Sequence, residues 1–166
     1  MKSNDELWIA NDHGGYQLKI SILKFLEDRN IPFKDLGTDS EEIVRYPYYA
    51  AAVAQAVSQK IIKRGLLICS TGIGMCMVAN KFSGVRAALC TDTYMAKMTR
   101  RHNDSNILCL GGKITGEFEA IDMLDMWLYT KFEGGRNQIS LGLIDELEKA
   151  ICNPEGWNPD FLINRR

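Results

Sequence analysis

Cys69 closes the apolar run Leu66-Leu67-Ile68, and Ser70-Thr71-Gly72-Ile73-Gly74 then leads into the helical spacing Met75, Val78, Ala79 and Phe82. At the carboxyl end of a strand in an open α/β sheet, such a thiol sits on the floor of the ligand crevice. The two glycines allow a sharp turn and a close backbone approach. The amides of Ser70 to Gly74 are free donors of the following helix N-terminus. Donors of this kind stabilise phosphate or a developing oxyanion, so the stretch reads as a base or nucleophile beside an anion cradle. The alternative is a buried structural cysteine, since free cysteine is among the most buried residue types.

Asp12-His13-Gly14-Gly15 repeats the same strand, turn and helix arrangement, and Asp12 reads either as a helix cap or as a crevice group. The chain has 2 histidines. We expect both, His13 after the first strand and His102 at the end of the fourth helix, to face the crevice. Arg100 and Arg101 suit a helix C-terminus on electrostatic grounds alone, whereas Asn103 and Asp104 can orient an imidazole. Gly111-Gly112-Lys113 follows the last strand and Gly134-Gly135-Arg136 opens the last helix, each setting a cation beside free amides.

Strand-like runs at Leu7 to Asn11, Ile31 to Leu36, Leu66 to Cys69, Val85 to Cys90 and Ile107 to Leu110 alternate with amphipathic stretches. Helices are expected at Tyr16 to Arg29 (Leu18, Ile22, Leu26), from Pro47 (Ala50, Val53, Ala54, Val57, Ile61), after Thr91 or Asp92 (Met95, Met98, His102), along Phe118, Ile121, Leu124 and Leu128, and along Ile144, Leu147 and Ile151. That order predicts an α/β protein, a three-layer α/β/α sandwich around a five-stranded parallel, Rossmann-like sheet. Residues 1–152 read as a single domain, and residues 153–166 as a tail against the body or a neighbouring subunit.

The 166 residues carry a formal net charge of −1, without the polybasic run that tracks nucleic acid. No apolar stretch approaches a membrane span or a secretion signal, which points to the cytoplasm. The 5 cysteines form no CxxC pair and lack histidines at zinc spacing, so we expect reduced thiols, with Cys90 and Cys109 in the core, and no metal.

Taken together, Asp12-His13-Gly14, Tyr46-Pro47, Ile68-Cys69-Ser70-Thr71-Gly72-Ile73-Gly74, Asn80-Lys81, Arg101-His102-Asn103-Asp104 and Glu133-Gly134-Gly135-Arg136 resemble the type B ribose-5-phosphate isomerase family. That family also includes allose-6-phosphate isomerase and the galactose-6-phosphate isomerase subunits. The resemblance spans Leu7 to Ile151. It implies that Cys69 moves a proton between C1 and C2 and that His102 opens the sugar ring. Thr71 and Asp12 complete the catalytic set. By the same resemblance Asp12, His13 and Asn103 hold sugar hydroxyls, Ser70, Thr71, Gly72, Ile73 and Gly74 cradle the enediolate, and Lys113 and Arg136 approach the phosphate. It further implies no cofactor and sites built between two subunits of a homodimer or a dimer of dimers.

The chemistry suits these roles, because a thiol acts as its anion and a helix N-terminus favours that form. Some relatives use a glutamate later in the turn, where Met75 stands here, so Cys69 is the candidate base. Two positions depart from the family pattern: Lys113 and Ser140 stand where arginines are usual. Arg45, where relatives often carry Asp, is a possible substitute cation. The implied reaction is metal-independent conversion of ribose 5-phosphate to ribulose 5-phosphate, with galactose, allose or tetrose phosphates as alternative substrates. The rival readings are a non-catalytic sugar-phosphate-binding subunit and a thiol redox protein. The second lacks a resolving cysteine, since Cys76 is about two helical turns beyond Cys69.

Overall fold

The computed structural model describes residues 5–151, and the chain divides into two compact units between Phe132 and Glu133. In the first unit, strands β1 (Leu7–Asn11), β2 (Phe33–Asp35), β3 (Arg64–Cys69), β4 (Ala87–Leu89) and β5 (Ile107–Gly111) form an all-parallel sheet in the order β2-β1-β3-β5-β4. Helices α1 (Tyr16–Asp28), α2 (Tyr46–Ser58), α3 (Ile73–Ala79), α4 (Thr93–Asn103) and α5 (Glu117–Tyr129) link or follow the strands. The second unit contains α6 (Arg136–Ile151), preceded by Gly134 and Gly135 at φ 68° and 57°. Residues 153–166, read from sequence as a tail, and Cys152 lie outside the described residues.

Alternation along the central strands explains the layers. Ile9, Leu66, Ile68, Leu108 and Leu110 pack with Leu18, Ile22 and Leu26 of α1 and with Met123, Leu124 and Trp127 of α5. The intervening residues Ala10, Leu67, Cys69, Ile107 and Cys109 pack with Val53 and Ala54 of α2 and Met75 of α3. Strands covered on both faces read as continuous apolar runs, which is why they stood out in the sequence. The chain winds from β1 to β2 in one direction and resumes with β3 on the other side of β1. The carboxyl ends of β1 and β3 therefore flank the point where winding reverses, the usual position of a ligand crevice.

Four elements differ from their expected form. β2 and β4 are shorter than predicted because both lie at sheet edges. Just before and at the start of β4, the amides of Arg86 and Ala87 donate to Asn106 Oδ1 at 2.8 Å and Asn80 Oδ1 at 2.9 Å. In α5 the buried stripe is Ala120, Met123, Leu124 and Trp127, whereas Phe118 is 83% exposed, because it falls off that helical period. In α4 the buried residue is Ala96 and Met95 is largely exposed, while Asp92 supplies the cap, its Oδ1 accepting from Met95 N at 2.8 Å.

Candidate active site

The turns that follow β1, β3 and β5 meet at the carboxyl edge of the sheet. Asp12 N donates to Ile68 O at 3.1 Å, Gly112 N to Cys69 O at 2.7 Å and Lys113 N to Ser70 O at 3.0 Å. Glycine is required at this junction: a Cβ on Gly14 would collide with Ser70 Oγ and lie 2.9 Å from Ser70 N, and one on Gly112 would lie 2.7 Å from Gly14 O. Backbone-limited contact therefore brings a thiol, a carboxylate and a run of amides into one place.

Cys69 is 5% exposed, and its Sγ accepts a hydrogen bond from Gly72 N at 3.1 Å. Gly72 makes this turn at φ 76°, a left-handed conformation that favours glycine, and caps α3. Thr71 Oγ1 accepts from Ile73 N at 3.4 Å. Among the described residues, no acceptor takes the amides of Thr71 or Gly74. The cradle expected from Ser70 to Gly74 is thus divided: one amide holds the sulfur, and at least two remain for a ligand. The Tyr46 ring closes over Gly74, where a Cβ would lie 2.8 Å from Cζ.

Asp12 is buried and caps the 3-10 turn His13–Gly15 through Oδ1, which accepts from Gly14 N at 2.8 Å. The cap reading is thereby met, and Oδ2 has no protein partner among the described residues. His13 Nδ1 accepts from Val44 N at 3.4 Å, which leaves the proton of a neutral ring on Nε2. Beside these two side chains opens a cleft of about 560 Å³ whose walls include Val44, Arg45, Tyr46 and Tyr48. The cleft wall contributed by residues 43–48 had no assigned role in the sequence reading, beyond Arg45 as a possible cation. Its signal was the Tyr46-Pro47 pair itself, with Pro47 in the first turn of α2.

His102 and Asn103 lie elsewhere. Helix α4 leaves the carboxyl end of β4 and must return the chain to the start of β5, as any helix between parallel strands does. The segment that follows α4 is anchored at the amino edge: Arg86 Nε donates to Asn103 O and Asp104 O, both at 3.0 Å, and Gly65 N donates to Asn106 O at 2.9 Å. The five residues of β5 separate it from the Cys69 turn, about 16 Å at ~3.3 Å per residue. The expectation that both histidines face one crevice is therefore corrected within a single chain. Lys113 is exposed at the carboxyl edge, and Arg136 opens α6 in the second unit.

The other thiols differ in character. Cys76 falls to about 7, chiefly because a hydrogen bond with the Cys109 thiol stabilises its anion. Burial pushes Cys90 up to about 12 and raises Cys109 as well. Asn80 is structural, joining α3 to β4 through both amide atoms, its Nδ2 donating to Ala87 O at 2.9 Å. Lys19, 3% exposed, bonds Asp35 Oδ2 at 2.8 Å and Thr38 O at 2.6 Å beneath the loop after β2. Sequence reading passed over it, since a lone lysine in an amphipathic helix looks solvated. Among the described residues, no three His, Cys, Asp or Glu side chains stand close enough together to hold a metal ion.

A parallel α/β sheet whose winding-reversal point holds a thiol, a carboxylate and open amides defines a crevice protein equipped for proton transfer on small oxygen-rich molecules. Residues 7–144 match the Ribose/Galactose Isomerase family model, and the chain belongs to that family. Ribose-5-phosphate isomerase B of Escherichia coli is 41% identical over 138 residues, covering 83% of this chain and 93% of that protein. The solved structure of ribose-5-phosphate isomerase B from Clostridium thermocellum superposes with a TM-score of 0.84 at 46% identity, covering 87% and 97% of the two chains. That of Mycoplasma genitalium, determined with bound ribulose-5-phosphate, gives 0.82 at 37% identity, covering 87% and 96%.

Proposed function

We propose that this protein interconverts ribose 5-phosphate and ribulose 5-phosphate through an enediolate, without a metal. The observation that carries the reading is the Cys69 Sγ held by Gly72 N at 3.1 Å, at a strand end whose main-chain carbonyls accept from the turns bearing Asp12 and Gly112. Similarity to ribose-5-phosphate isomerase B proteins over more than four-fifths of the chain supports the substrate.

The thiolate of Cys69 takes the C2 proton of the open-chain aldose. The C–H electron pair becomes the C1–C2 double bond, and charge gathers on O1. The amides of Thr71 and Gly74 stabilise that oxygen, each worth on the order of 3 kcal/mol when preorganised. Thr71 Oγ1 relays a hydroxyl proton from O2 to O1, the sulfur returns its proton to C1, and a carbonyl is left at C2. Asp12 Oδ2 and His13 hold sugar hydroxyls, while Lys113 approaches the phosphate. The step needs Cys69 as a free thiol, which suits a reducing compartment such as the cytoplasm.

Ring opening is assigned to His102, with Asn103 beside it on the sugar. Because both lie at the opposite sheet edge from Cys69 of their own chain, a second copy supplies them in a homodimer. Mixing Cys69→Ser with His102→Asn, each inactive alone, tests this. Random reassortment restores about a quarter of native turnover if two subunits share each site, and none if one chain holds both groups.

The primary test is exchange of the C2 hydrogen of ribose 5-phosphate with deuterated solvent, followed by NMR with and without chelator. Exchange in native protein, its loss in Cys69→Ser and indifference to chelator are expected. Tight sugar-phosphate binding with no exchange in the native protein would instead favour a non-catalytic binding subunit, and faster turnover of another aldose phosphate would reassign the substrate.

A further inference from the structure

The 560 Å³ cleft is lined by polar groups of two kinds. Asp12, whose Oδ2 has no protein partner among the described residues, and His13 are suited to hydroxyl groups. The other kind is Arg45, the residue before α2, with Tyr46 and Tyr48 on either side of Pro47. Arg45 is exposed, and among the described residues no hydrogen bond, ion pair or ring contact engages its guanidinium. Arg29, Arg86 and Arg100 each hold a carboxylate, at 2.7, 3.0 and 2.8 Å. The cleft is therefore lined by an arginine left without a counter-charge among the described residues, although Glu42 and Glu41 are only three and four residues away and Glu41 instead accepts from Gln17.

A ligand that satisfies both kinds of group carries hydroxyls and an anion. A guanidinium is planar and permanently charged, and it binds phosphate oxygens in pairs. We propose that Arg45 binds the phosphate of the substrate and so sets the selectivity of the site for phosphorylated sugars. The proposal rests on the isomerase reading for the identity of the sugar, but phosphate recognition by Arg45 stands or falls without turnover.

Calorimetric titration with inorganic phosphate tests it on the full-length native protein, Arg45→Gln, Arg45→Lys and Lys24→Gln. Lys24 is an exposed cation of α1 away from the cleft wall, and it controls for net charge. Arg45→Gln should weaken phosphate binding about tenfold, the loss of one charge-assisted contact. Arg45→Lys keeps the charge without the paired contact and should recover only part of the affinity, and Lys24→Gln should leave it unchanged. With ribose 5-phosphate, Arg45→Gln should raise KM by the same factor while kcat stays within about twofold, the pattern of lost uniform binding. Phosphate affinity in Arg45→Gln within twofold of native, or an equal loss in Lys24→Gln, overturns the assignment, as does a native protein that binds no phosphate. Arginine-dependent phosphate binding by a native protein that turns over no ribose 5-phosphate would sink the isomerase reading and keep Arg45 as the anion ligand.

Discussion

The two edges of the sheet are built by different means. At the amino edge, side chains saturate the backbone: Arg86 and Arg100 share Asp104, Asn106 takes the Arg86 amide, and Trp127 Nε1 donates to Ser105 Oγ at 2.8 Å. At the carboxyl edge, the turns after β1, β3 and β5 touch through glycine and main chain, and side chains such as Arg45 and Lys113 are left unengaged among the described residues. The difference teaches that one end spends its polar groups on holding the fold and the other keeps them for a ligand. Glycine makes the second possible, because backbone contact leaves no side chain between the turns.

The comparison is broken most decisively at Cys69. Cys69→Ser should lower kcat by about 10³-fold, the usual weight of a positioned base, with an unchanged urea midpoint. Next comes the glycine junction. Gly14→Ala forces a methyl group onto Ser70 and should cost roughly 1–3 kcal/mol of stability by overpacking. It should also cost about 10²-fold in kcat by displacing the turns. Gly116→Ala, whose Cβ meets nothing within 4 Å at an ordinary φ of −66°, should shift stability by less than about 0.5 kcal/mol.

A change at the amino edge should reverse that profile. Trp127→Phe removes the bond to Ser105 and part of a fully buried ring, so denaturant titration should show a loss of about 1–2 kcal/mol. Its kcat should match native, and a parallel fall in kcat would show that the two edges are energetically one system. The smallest effect sharpens the contrast between thiols. Because the anion is the reactive form, a thiol at about 7 should alkylate faster from pH 6 to 8 and then level off. Peptide mapping after iodoacetamide should show this rise at Cys76, while Cys90, pushed up to about 12, stays unmodified over the same range.

Much of this arrangement is local, and for that reason legible. Strand, glycine turn and helix follow one another without interruption at Asp12 and at Cys69, so residue order sets each turn. Phe118 shows the limit: its apolar character placed it on the packed stripe, but the stripe begins at Ala120 and its phase depends on the partner surface. Lys19 shows another, since only the fold brings Asp35 and the Thr38 carbonyl around an ammonium that helical periodicity alone leaves in solvent. His102 is the sharpest case. Its type and neighbours marked it as an oriented imidazole facing the crevice, but a helix between parallel strands ends at the far edge, away from its own Cys69.

Residue order alone determined the alternation of strands and helices, the burial of the central strands on both faces, and the pairing of a thiol with a left-handed glycine three residues on. These depend on hydrophobic period and on backbone freedom, which are properties of adjacent residues. Tertiary structure decided which turns touch, which amide is consumed by sulfur and which remain open. It also decided that Arg45 borders the same cleft as Asp12 and His13. Those outcomes depend on the order in which parallel strands assemble, and strand order is settled by long-range packing that no local pattern encodes.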